Sequence, residues 1–157
     1  MAMKSINIVL IEPLIHANTG NVARTCAVTG AALHLVKPLG FSIDDRHLKR
    51  AGLDYWDKLD ITIYENKDEF FEINKDESFY YFSKKGKRSF SEIEYPERAF
   101  IVFGREDVGL PDELLEKNED RCVRIPMVSD VRCLNLSNSV AVAVYEIARQ
   151  KGYAGLS

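Results

Sequence analysis

Short apolar runs divided by glycine, proline and clusters of small polar residues set the pattern of this chain. Ile6 to Ile11 is rich in Ile and Val, as expected of a central parallel strand covered on both faces. Asn18, Thr19 and Gly20 then read as the opening of a helix that runs through Cys26 to Thr29, with Gly30 closing it just past the last turn. Leu33 to Val36 is the next strand, stopped before Pro38, and the three pieces together form a βαβ unit with a right-handed crossover. Further on, Asp44 to Leu53 reads as a short helix, Ile61 to Tyr64 as a strand, Asp68 to Ile73 as a helix and Ser78 to Phe82 as an aromatic strand. That strand ends in a basic turn, Ser83 to Arg88. Ala99 to Phe103 is a strongly buried strand, Gly104 to Pro111 a loop with two glycines, and Pro111 suits the first position of a helix through Leu114 and Leu115. Cys122 to Ile125 is the last strand.

The final helix begins among Asn135, Ser137 and Asn138, short polar side chains that accept from unpaired N–H groups at a helix start, and ends near Gly152. Val140, Val144, Ile147 and Ala148 share one face, while Ala141, Val142 and Ala143 leave little polar surface before Tyr145 and Glu146. Such a helix is expected to be buried nearly all round, by its own sheet on one side and a second subunit on the other. Strands alternating with helices predict an α/β fold, a mostly parallel sheet flanked by helices. With no linker, repeat or low-complexity stretch, residues 1–157 are expected to form a single domain.

Composition narrows the picture only slightly. A chain with 46% hydrophobic and 29% charged residues is an ordinary globular one, and its formal net charge of −3 attracts nucleic acid only through local clusters of Lys and Arg. Cys26, Cys122 and Cys133 have no metal-ligand spacing, and their odd number argues for reduced thiols. No metal site is expected from His16, His34 and His47 either. The amino terminus lacks a signal-peptide pattern and no segment is long enough for a membrane span, so a cytoplasmic protein is expected.

Three loops follow the carboxyl ends of three expected strands: Pro13 to Gly20, Gly104 to Pro111, and Pro126 to Ser137. That edge is where open α/β sheets bind ligands. Neither a GxGxxG nor a GxxxxGK[ST] pattern is present, which weakens a dinucleotide or NTPase reading. On pattern alone NTGN at 18–21 is more often just a helix cap, and GREDVGLP reads equally as a plain strand-to-helix turn. Arg24 is the odd residue: a guanidinium among Val22, Ala23, Cys26 and Ala27 needs either solvent or an anionic partner.

Together NTGNVAR (18–24), FGREDVGLP (103–111) and IPMVSDVRCLNLSNSVAVAVYE (125–146) resemble the three motifs of the SPOUT methyltransferases of the TrmH type. The chain's length and LGFSIDDRHLKRAGLDYW at 39–56 look like the minimal members of that type, which methylate the wobble ribose of tRNA. The resemblance implies a homodimer, S-adenosyl-L-methionine (SAM) as methyl donor, and an α/β knot fold with a deep carboxyl-terminal trefoil knot. By position it carries cofactor contacts over to Phe82, Gly104, Ile125 and Cys133, with Glu106, Leu134 and Asn138 nearby. Arg24 corresponds to the arginine that meets the acceptor ribose from the other subunit, and Asn18 and Glu106 join it as candidate catalytic residues.

The implied reaction is 2′-O-methylation of the wobble cytidine or modified uridine in the tRNA anticodon loop. A guanidinium is a poor proton acceptor, so Arg24 is expected to orient the ribose or phosphate and stabilise the developing alkoxide, with Glu106 as its ion-pair partner. Arg46, Lys49, Arg50, Lys84, Lys85, Lys87, Arg88 and Arg132, with Tyr145, are the expected RNA contacts. Two alternatives stay open: methylation of another RNA site, in rRNA or elsewhere in tRNA, and a non-catalytic RNA-binding or assembly factor on the same fold.

Overall fold

The computed structural model describes residues 4–43 and 59–157. The expected helix over Asp44 to Leu53, with Arg46, Lys49 and Arg50, lies outside the described residues. Seven strands form one sheet: β1 (Ile6–Ile11), β2 (Ala32–Val36), β3 (Ile61–Tyr64), β4 (Phe79–Phe82), β5 (Arg88–Ser89), β6 (Ala99–Phe103) and β7 (Cys122–Arg124). Their order is β3-β2-β1-β6-β4-β7-β5. Every ladder pair is parallel, as the apolar runs predict. Among the described residues four α-helices flank the sheet: α1 (His16–Thr29), α2 (Lys67–Ile73), α3 (Asp112–Lys117) and α4 (Leu136–Gln150).

Alternation along each strand divides the core in two. Ile8, Leu10, Leu33, Leu35, Ile101, Phe103 and Val123 face Val22, Ala23 and Cys26 of α1 and Val140, Ala143, Val144 and Ile147 of α4. Val9, Ile11, Phe100 and Val102 face Phe70 of α2 and Leu115 of α3. Successive strand side chains point to opposite faces, so a run apolar at every position must be covered twice.

At two helix starts the capping differs from expectation. Helix α1 begins at His16, two residues before Asn18, with Ile15 as its cap position and no capping side chain of its own. Asn18, Thr19 and Gly20 are therefore buried inside the first turns. At the other end Gly30, at φ 78°, closes the helix with its N–H on the Cys26 carbonyl, as the glycine predicts. Pro111 is the cap of α3 rather than its first residue. Helix α4 does start at the cap Asn135.

The basic turn is more than a turn. Strand β7 lies between β4 and β5, so residues 83–87 must cross it to join them. At the crossing a Cβ on Gly86 would stand 2.5 Å from the Val123 carbonyl carbon, closer than side chains tolerate. The Ser83 N–H donates to the Val123 carbonyl (2.9 Å), and Arg124 Nη1 donates to the carbonyls of Gly86 (3.2 Å) and Lys87 (2.6 Å). The strap is thus pinned to the strand beneath it.

Candidate functional site

The three loops at the carboxyl ends of β1, β6 and β7 converge. A cavity of about 600 Å³ is lined by Ile15 and Asn18 from the first, Gly104 to Leu110 from the second, and Ile125, Met127 and Arg132 to Leu136 from the third, with Phe82 to Lys85 of the strap completing it. Of the seven expected cofactor positions, Phe82, Gly104, Glu106, Ile125, Cys133 and Leu134 line this one space. Asn138 does not; its backbone N–H is tied to the Asn135 side chain.

A chain of polar groups fastens the three loops together. Glu106 accepts from the backbone N–H groups of Leu14 (2.9 Å) and Ile15 (2.6 Å) and from Asn18 Nδ2 (3.3 Å). The carboxylate sits at the amino end of α1, where N–H groups lack helical partners, and supplies from another segment the cap that α1 itself lacks. Asn135 Nδ2 donates to Asn18 Oδ1 (3.1 Å), while Asn135 Oδ1 accepts from the Ser137 N–H (2.9 Å), the Ser137 hydroxyl (2.6 Å) and the Asn138 N–H (3.3 Å). The network leaves one consistent orientation for both amides: Asn135 Oδ1 is committed to the α4 cap, so its Nδ2 faces Asn18, whose own Nδ2 then faces Glu106. Sequence reading took Asn135 only as part of a helix start and missed its tie to Asn18.

The expected Glu106–Arg24 ion pair is not formed within the chain. Glu106 is held by the start of α1. Arg24 lies two turns along that helix, exposed, in a row with Ala17, Asn21 and Val28 at helical spacing. Among the described residues it makes no ion pair. On the β6 loop Arg105 instead holds Asp107 through two hydrogen bonds of 3.0 and 2.8 Å, which keep the Asp107 carboxyl below its ordinary range. Gly109, at φ 71°, turns this loop back so that its N–H meets the Arg105 carbonyl, and a side chain on Gly104 would strike the Gly109 backbone.

The expected RNA contacts among the described residues do not gather in one place. Lys84, Lys85 and Arg132 line the cavity. Lys85 and Lys87 already have carboxylate partners, Asp112 at 2.5 Å and Glu119 at 3.9 Å. Arg88 is exposed on the edge strand β5. Tyr145 is elsewhere, on the outer face of α4 beside Val28 and Tyr153. On that face Val142 and Tyr145 are 40% and 45% exposed in the single chain, so the chain by itself supplies only the sheet side of the burial expected for this helix.

Comparison with known proteins decides the family. The model of the SpoU rRNA methylase family matches residues 5–145. The chain belongs to that family. A Geobacillus stearothermophilus relative of this SpoU methylase, 53% identical over 156 residues (98% of this chain, 99% of that one), is provisionally named a tRNA (cytidine(34)-2′-O)-methyltransferase. A solved structure described as giving insight into 2′-OH methylation of C/U34 on tRNA is 41% identical, covers 94% of this chain and 97% of that one, and superposes with a TM-score of 0.89. The fold alone is shared with an AdoMet-bound rRNA methyltransferase from Sinorhizobium meliloti, 21% identical over 92% of this chain and 56% of that one, with a TM-score of 0.84. In this SpoU methylase the three motif loops are thus brought to one sheet edge, while Arg24, Asn138 and Tyr145 lie outside the cavity lining. Among the described residues no helix is long and apolar enough to cross a membrane, and no group of three or more His, Cys, Asp or Glu is placed to hold a metal ion.

Proposed function

We propose that this chain is a SAM-dependent 2′-O-methyltransferase that acts on the wobble nucleotide, position 34, in the anticodon loop of tRNA. The observation that carries the reading is the convergence of all three motif loops on one cavity of about 600 Å³. Relatives covering nearly the whole chain bear names for this activity. The cavity suits the cofactor chemically: Phe82, Ile125 and Leu134 offer apolar surface to an adenine, and the loop backbones around Gly104 and Cys133 offer hydrogen bonds at close approach. When bound, SAM supplies a methyl on a sulfonium, already activated for transfer. The protein's task is then to align the acceptor oxygen and favour loss of its proton. Alignment supplies about 7–11 kcal/mol in the best intramolecular reactions.

Arg24 is assigned to orienting the ribose or adjacent phosphate and stabilising the alkoxide, and it reaches the cavity from a second copy. The exposed row of α1 carrying Arg24 and Val28 lies beside the outer face of α4 with Val142 and Tyr145. A twofold contact through this surface buries the apolar side chains and brings each Arg24 toward its partner. Glu106 and Asn18 then act by holding the cavity wall. The same reading takes residues 1–157 as a single domain and includes the knot that the resemblance implies; the strap of residues 83–87 crossing β7 supports it.

Radiolabelled methyl transfer to a panel of purified tRNAs, with nuclease mapping of the product, tests the proposal. Label is expected at position 34; label at another nucleotide moves the target, and no transfer despite SAM binding favours the assembly-factor reading. Arg24→Ala is expected to lower turnover at least a hundredfold with SAM affinity kept, and unchanged turnover removes Arg24 from the mechanism.

A further inference from the structure

The two loops that carry the cavity's β6 and β7 walls also hold large apolar side chains that the packing of the chain leaves uncovered. Val108 on the β6 loop is 70% exposed, and Met127, Val128 and Val131 on the β7 loop are 42%, 76% and 58% exposed. Val108 and Met127 line the cavity itself, and so do Lys84 and Arg132, exposed cations that make no ion pair among the described residues. The rim therefore joins an uncharged, apolar surface to two positive charges.

We propose that Val108, Met127, Val128 and Val131 form a platform on which the nucleobase of the acceptor nucleotide rests, with Lys84 and Arg132 taking the flanking phosphates. This deepens the function proposed above and rests on it. The reason is covalent geometry: the 2′-oxygen is on the ribose carbon next to the one that carries the base. A ribose that delivers its 2′-oxygen into the cavity leaves its base at the mouth, three bonds from the reacting oxygen. A paired base cannot lie there, so the platform selects an unpaired nucleotide. None of the four side chains carries a hydrogen-bond donor, and the Met127 thioether is only a weak acceptor, so the platform holds a base by its face without reading its edge, and cytosine and uracil fit it equally.

A second copy of the chain is the weaker occupant. Twofold contact through this rim would set Lys84 and Arg132 close to their own copies, whereas the α1 and α4 surface offers Val28, Val142, Tyr145 and Tyr153 to such a contact. The charge around the rim is complementary to phosphate instead.

The test uses the full chain and a fluorescein-labelled anticodon stem-loop RNA, with affinity read by anisotropy. Val128→Asp is expected to weaken RNA binding about tenfold, the scale of losing one base contact, while Val128→Ile stays within about twofold of the parent. SAM affinity by calorimetry and particle mass by light scattering are expected to be unchanged in both. Unaltered RNA affinity in Val128→Asp overturns the platform. So does a changed particle mass, which makes the rim a contact between copies, and so does equal binding of a fully paired duplex with the same response to the variant. If the parent protein fails to bind SAM or to methylate tRNA, the function fails; if it does both and Val128→Asp still binds RNA normally, only the platform fails.

Discussion

Gly86 is a residue whose missing side chain is a structural requirement. It passes over Val123 where the strap crosses β7, and the neighbouring atoms are backbone, which cannot rotate aside. Gly86→Ala is therefore expected to destabilise the protein by about 1–3 kcal/mol, the usual cost of overpacking, read as a lower urea midpoint. His34 offers a second residue-scale test. It is buried in the sheet, hydrogen-bonded through Nδ1 to the Tyr64 hydroxyl (2.8 Å) and through Nε2 to Asn7 Oδ1 (3.0 Å). Asn7 spends its Nδ2 on the Lys4 carbonyl, so His34 is the neutral tautomer with its proton on Nε2. Burial lowers its pKa from 6.5 to about 4, against the opposing pull of Asp60. Between those values the unfolded chain binds a proton that the folded chain does not. The contribution of this group is full above about pH 6.5 and lost as pH falls toward 4. Urea midpoints measured from pH 7.5 to 4.5 are expected to fall more steeply for the parent than for His34→Asn, and parallel slopes would contradict this assignment.

At the scale of elements, α4 packs on the sheet and, in the proposed dimer, serves a second interface. Val140, Ala143, Val144 and Ile147 bind it to the sheet, and the stripe of Val142 and Tyr145 faces outward. A charge introduced on the outer stripe leaves the sheet packing alone and burdens only a contact between copies. Val142→Glu is expected to yield a folded monomer by light scattering, with methyl transfer lost because Arg24 no longer reaches the neighbouring cavity. A dimer of full activity would reject the role given to this stripe. The same helix shows how far sequence reading goes. Its apolar residues announced burial on both sides, and its start at Asn135 was legible from the capping chemistry of a short amide side chain. The start of α1 was not. There the cap comes from Glu106, ninety-two positions from Leu14, and no local pattern around NTGN records it.

For the whole molecule, electrostatics are local rather than global. With a formal net charge of −3, RNA affinity under the proposed function depends on the cations near the cavity, of which Lys85 and Lys87 are partly neutralised by Asp112 and Glu119. These ion pairs are exposed, so a phosphate competes with the carboxylates at small cost. Affinity for tRNA is expected to fall on a log–log plot against salt with a slope of about −0.7 per phosphate contact in the single-stranded loop. Lys84→Ala and Arg132→Ala are each expected to make that slope shallower by about one contact; a slope near zero in the parent would contradict cationic recognition.

By itself the sequence determined the strands other than β5, much of the helix placement and the loops that come together at one cavity, because apolar periodicity, glycine conformation and capping are properties of a few neighbouring residues. It also determined the family, through three motifs in order. Only the tertiary structure decided which groups meet: that Glu106 caps α1 rather than pairing with Arg24, that Asn135 ties α4 to Asn18, and that residues 83–87 cross over β7. Those contacts join segments far apart in the chain, and a hydrogen bond or a crossing depends on positions in space that neighbouring residues do not encode.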